Sequence, residues 1–135
     1  MATQVYVPTT TDRSLLLRRA LQADAVVGAV SGAAIAVMSG SLGTILGIPS
    51  TILLVIGLIL LPYGAWLWYQ ATRPVITHRF AWTVIGINAL WVAESVVVLA
   101  MGWLPLTQAG FWFIVALAVA VAIFAEVQFL GLRRI

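Results

Sequence analysis

The sequence predicts an all-α integral membrane protein, a four-helix antiparallel up-down bundle with both termini in the cytoplasm. Three observations carry that expectation. Of 135 residues, 63% are hydrophobic and only 8% are charged, with a mean hydropathy of +1.11. A soluble domain of this size needs a charged surface, which this chain lacks. The apolar residues fall into four continuous runs, each long enough to cross a ~30 Å hydrocarbon core as a helix. All seven basic residues are arginines, and every one lies at the same end of those runs.

Residues 1–13 form a short polar tail with Pro8 and a Thr9–Thr11 run. The rest, 14–135, reads as one transmembrane domain. The first span covers about 15–38, with Asp12 or Ser14 as its cap. We read it as a retained span and not a signal peptide. Asp24 interrupts it, the segment before it is long, and no small-x-small cleavage site follows. Ser39–Gly47 is glycine-rich and uncharged, and is expected to be a turn. The second span, 50–71, follows Pro49, a residue suited to a helix start. Pro62 in its middle removes a backbone donor and predicts a kink that frees the carbonyl near Leu58. A basic loop with Pro74 and the single histidine, His78, leads to the third span, 80–101. A short turn with Pro105 leads to the fourth, 108–132, which Gly131 and two arginines are expected to end. None of these runs shows the alternation of barrel strands.

Arg13, Arg18 and Arg19 precede the first span. Arg73 and Arg79 separate the second from the third. Arg133 and Arg134 follow the fourth. The other two turns carry no charge. The positive-inside rule therefore expects cytoplasmic termini in an inner (plasma) membrane, with the arginines orienting the chain against anionic lipid. This placement also argues against nucleic acid as a partner. Trp66, Trp68 and Trp82 lie toward the basic end and Trp103 and Trp112 toward the other, as an interfacial belt, while Trp91 falls near mid-membrane. Equal intervals separate Arg19 from Arg73 and Arg79 from Arg133, which suggests two hairpins of matched length.

Several chemistries are excluded by composition. No cysteine means no disulfide exchange, thiol nucleophile or iron–sulfur ligand. No lysine means no Schiff base. One histidine cannot supply both axial ligands of a bis-histidine haem. No cofactor, metal or catalytic residue is expected.

Three carboxylates within the spans are the candidates for a site, because an ionisable group in hydrocarbon is costly. Asp24 lies on the ridge Ala20–Asp24–Gly28–Gly32–Ala36, whose i, i+4 spacing makes one small face open to close helix approach. Glu126 lies at a similar depth from the basic end, so Asp24 and Glu126 are expected to meet as an acidic pair if the first and fourth helices touch. The alternative for Glu126 is pairing with Arg18, Arg19, Arg73 or Arg79. Glu94 is deeper and has no basic residue at its level, which calls for a cavity, a ligand or a partner chain. Asn88, Trp91 and Ser95 form one stripe beside it. Tyr63, Trp66 and Gln70 form another beyond Pro62. The candidate ligand- or proton-binding residues are therefore Glu94, Glu126, Asp24, Asn88, Trp91 and Tyr63.

The segments LRRALQADAVVG, LLPYG, NALWVAES and AEVQFLGLRR resemble a group of small bacterial four-span integral membrane proteins. The resemblance implies a bacterial inner-membrane four-helix protein and no activity. Small multidrug transporters also have four spans with an acid in the first, but only Asp24 matches them. The polar motifs of fluoride channels are missing. On these readings the expected role is a non-enzymatic membrane subunit or a binding module for lipid or an apolar ligand. Its partners would be the bilayer and a homo-oligomer or larger membrane complex. The alternative is a small proton- or cation-linked transporter that uses the intramembrane carboxylates.

Overall fold

A computed structural model describes residues 14–135; the polar tail, with Asp12 and Arg13, lies outside the described residues. Among the described residues all regular structure is helical: α1 (Leu15–Val37), α2 (Ser39–Leu46), α3 (Ser50–Ala71), α4 (His78–Met101) and α5 (Gln108–Leu132). The all-α expectation is met. Helices α1, α3, α4 and α5 are long and apolar enough to cross a membrane.

The tightest packing joins α1 to α3, antiparallel. Its material is small residues on both sides. A Cβ built on Gly57 would lie 2.6 Å from the Gly32 carbonyl oxygen and 2.8 Å from the Ala36 nitrogen. One on Gly64 would lie 2.9 Å from the Ala25 carbonyl oxygen. The two backbones therefore touch, and van der Waals contact replaces the hydrophobic drive that lipid cannot supply. The small face read from the sequence is only partly used. Gly32 is in the seam, but nothing lies within 4 Å of a Cβ at Gly28.

The basic end of this hairpin is clamped by Arg18. Its guanidinium donates to the carbonyls of Ala71, Arg73 (2.6 Å) and Pro74 (3.4 Å), and to Ser14 Oγ (3.3 Å). The last carbonyls of a helix have no intrahelical donor, and a cation there also suits the helix dipole. Arg18 is thus a cap for α3, a role that its place in a basic segment does not reveal.

Helix α5 packs on both α1 and α4. A Cβ on Gly131 would sit 2.7 Å from the Leu17 nitrogen. Gly131 therefore does not end the helix, as its position suggested; α5 continues to Leu132, and the glycine admits the α1 backbone. Trp82 and Phe129 pack edge to face at 5.8 Å between α4 and α5.

Helices α3 and α4 follow one another in sequence, yet among the described residues they make no close backbone approach. Side chains join them near the basic loop. Trp66 meets Phe80 edge to face at 4.9 Å, beside a buried cluster of Leu17, Leu21, Leu67, Ala71, Ile76, Phe80 and Val84. Helix α3 runs unbroken through Pro62, which is exposed. Helix α4 starts at His78 because Thr77 Oγ1 accepts the Phe80 N–H at 3.1 Å.

The glycine-rich segment is not a plain turn. Ser39–Leu46 is a short helix ended by Gly47 in the left-handed region, φ 72°. Leu42 and Leu46, one helical turn apart, pack into a second core with Ile35, Ile48 and Leu53. Thr107 then ties this segment to the start of α5. Its N–H donates to the Leu46 carbonyl at 3.1 Å, its hydroxyl donates to the Ile45 carbonyl at 2.6 Å, and the same oxygen accepts the Gly110 N–H.

Because the α1–α3 seam has no room for a side chain, Gly57→Val is expected to cost about 1–3 kcal/mol through overpacking. Gly86→Ala, in open space, should stay within about 0.5 kcal/mol of the parent. Thermal unfolding of both variants in the same detergent checks the contrast; equal melting points would mean the seam is not tight.

Candidate functional site

Asp24 projects from the middle of the α1 surface that faces α4 and α5. In that position it is only 8% exposed. A carboxylate removed from water must find donors, and two side-chain amides supply them. Gln128 of α5 donates from Nε2 to Asp24 Oδ2 at 2.7 Å. Asn88 of α4 donates from Nδ2 to the same oxygen at 3.3 Å and to Gln128 Oε1 at 2.9 Å. The result is a closed ring of three hydrogen bonds joining three helices. Asn88 is 5% exposed and Gln128 0%, so the ring is buried from the outside.

The expected acidic pair does not form. Glu126 is exposed on the outer side of α5, and the residue that meets Asp24 is Gln128. The reason is helical phase. Two positions along an α-helix turn the side chain through about 200°, so Glu126 and Gln128 face opposite ways at nearly one depth. Nor does Asp24 take an arginine: its donors are amides.

The fourth long helix, α3, brings Tyr63. Its hydroxyl is buried and has no hydrogen-bond partner among the described residues. Tyr63, Asp24 and Asn88 line one cavity of about 160 Å³, together with Gly28, Ser31 and Trp91. A second cavity of about 340 Å³ is lined by α3 residues Ile52, Leu53 and Ile56, by Glu94, Ser95 and Val98 of α4, and by Phe113 and Ile114 of α5. The two abut: Ile35, Ile59, Trp91 and Leu117 line both. They occupy the space left because α3 and α4 do not close on each other.

Glu94 thus stands on the wall of the larger cavity, while much of its surface stays exposed. It lies roughly 9 Å farther along α4 than Asn88, at 1.5 Å of rise per residue. Trp91 lies between them on the shared wall, and Ser95 turns its hydroxyl back to the Trp91 carbonyl at 2.9 Å. Of the six candidates, the structure gathers Asp24, Asn88, Tyr63 and Trp91 around one cavity, sets Glu94 on the next, and leaves Glu126 apart. Arg19, Arg73, Arg79, Arg133 and Arg134 are exposed at the basic end. His78 is exposed there too.

Gln128 is not among the candidate residues of the sequence. The signal was present: it is a lone amide in an otherwise apolar stretch, at the depth of Asp24. Glu126, two positions away and ionisable, is the more conspicuous residue in the sequence. Among the described residues no group of three histidines, cysteines or carboxylates could hold a metal ion.

No known protein family matches the chain, and neither a curated protein nor a solved structure shows significant similarity to it. The site therefore has to be read from its own chemistry. That chemistry is an apolar cleft with one oriented carboxylate, one unpaired phenol and a second carboxylate farther along.

Replacing either amide leaves Asp24 short of a donor in a buried setting. Gln128→Leu and Asn88→Leu should each destabilise the protein by about 1–3 kcal/mol. The double variant should cost less than the two together, since both act on one ring. Denaturant unfolding in mixed micelles measures all three; strictly additive losses would dissolve the ring into separate contacts.

Proposed function

We propose that this chain is a non-enzymatic, multi-pass inner-membrane protein that binds an apolar ligand, lipid-derived or otherwise, in the cleft between its two helical hairpins. The observation that carries this reading is the pair of abutting cavities, walled by aliphatic and aromatic side chains and interrupted by a few polar groups. Apolar pockets with sparse, placed polar atoms are the common form of small-molecule sites. The reading includes an up-down bundle with both termini in the cytoplasm, which the one-sided arginines support. It also includes a bacterial membrane, in line with the resemblance of the sequence segments. A second polypeptide against the outer face of α5 fits the exposed Glu126, since a carboxylate at that depth is costly against lipid alone.

Transport is the second reading. Asp24 and Glu94 both face the cleft, and two carboxylates in line are what a proton or cation carrier requires.

Two experiments decide between these possibilities. Native mass spectrometry after gentle extraction should reveal an apolar adduct, and Gly28→Leu, which fills the open space beside Asp24, should reduce its occupancy severalfold. A bare polypeptide in both cases would count against the binding role. Glu94→Gln with intact binding but lost proton-coupled flux in vesicles would favour transport.

Orientation is tested separately, and the absence of native cysteine makes this direct. Ser41→Cys should react with a membrane-impermeant maleimide on whole cells, and Val75→Cys only after lysis. The reverse pattern would invert the topology.

A further inference from the structure

We propose that the cleft selects ligands whose apolar body carries an ammonium group, which docks on the free oxygen of Asp24. This rests on the binding role above and adds the chemical class of the ligand.

The two oxygens of the Asp24 carboxylate are not equivalent. Both amide donors go to Oδ2. No group among the described residues donates to Oδ1, although Asp24 lines the smaller cavity. The ring therefore holds the carboxylate in a fixed pose with one oxygen left for something else. Preorganised acceptors of this kind gain most from a charged donor, because hydrogen bonds to ionised groups are the strong ones.

Among the described residues, no cationic side chain supplies such a donor. Arg18 is the nearest arginine along α1 that reaches inward, and its guanidinium is committed to the end of α3. No basic residue lines either cavity. The acidic side chains on the walls are those of Asp24 and Glu94. An anionic ligand would meet repulsion at both, and a neutral apolar one would leave Oδ1 without a partner.

Tyr63 is the second observation. Its hydroxyl is buried, unpartnered and on the wall of the same cavity. A primary ammonium has three N–H donors. One can bond Asp24 Oδ1 and another the Tyr63 oxygen. Trp91, on the wall common to both cavities, offers an aromatic face to a cation or to the adjoining chain. The larger cavity, about 340 Å³, is within the range of ligand pockets and would take the apolar body.

The test uses three probes with one tail. Dodecylamine, dodecanol and dodecanoate are offered together to the full-length protein in nanodiscs, and adducts are counted by native mass spectrometry. The amine adduct should exceed each of the others by about tenfold or more, the scale of one charge-assisted contact. Asp24→Asn keeps an acceptor for the two amides and should erase that preference. Tyr63→Phe should weaken amine binding severalfold and leave dodecanol unchanged. Equal adducts from all three probes would overturn the ammonium preference while leaving the apolar cleft intact. No adduct from any probe would overturn both. Should Asp24→Asn fail to fold, the competition on the unaltered protein still decides, because it needs no variant.

Discussion

Hydrocarbon cannot hydrogen-bond, so each polar group that enters it must be answered from within the protein. In this chain that demand is met at a few points, and those points organise the helices. Asp24 is answered by Gln128 and Asn88, which sets the rotation of α1, α4 and α5 relative to one another. A rotation of any one by a single residue, about 100°, would carry its polar group out of the ring. Apolar faces alone would not be so exacting, because a leucine surface packs nearly as well against lipid as against another helix. Arg18 plays the same part at the basic end, where the α3 carbonyls would otherwise lack donors.

The four long helices were legible in the sequence because continuous apolar runs bounded by arginine leave few other structures open. Interior detail was legible only where residue type alone decided it. Asp24, Asn88, Tyr63 and Trp91 could be singled out as polar or aromatic groups in apolar helices, and they converge on one cavity. Their convergence with Gln128 in place of Glu126 could not be read, because depth along a helix is visible in a sequence while facing depends on which helices touch. The short helix α2 was hidden for a related reason. Three glycines, Gly40, Gly43 and Gly47, argue for a turn, and only the partners of Leu42 and Leu46 in the second core favour a helix there. Gly131 showed the same ambiguity: a glycine near an arginine pair can end a helix or admit a neighbour.

Two modes of packing coexist in the fold. Between α1 and α3 the glycines let the backbones meet, and no cavity can exist in that seam. Between α3 and α4 the facing residues are large: Ile52, Ile56, Ile59 and Tyr63 on one side, Trp91, Glu94 and Val98 on the other. Bulky side chains on both surfaces hold the backbones apart, and their irregular outlines leave the space seen as two cavities. Tight packing on one side of α3 thus fixes the wall against which the opening on the other side is defined.

The same asymmetry separates the three intramembrane carboxylates. Asp24 sits on a helix anchored on two sides, and both amide donors hold its carboxylate by one oxygen beside the smaller cavity. Glu94 sits on α4, which lacks the close seam to α3, and its side chain keeps much of its surface exposed beside the larger cavity. Glu126 faces away from the core altogether. A group that must recognise a ligand by geometry needs neighbours that hold it still, since freedom lost on binding subtracts from affinity. Only Asp24 has that support. Where a ligand carries a charge, the rigid carboxylate is the one that can discriminate among headgroups, while Glu94 can shift the electrostatic balance of the cleft without choosing between shapes.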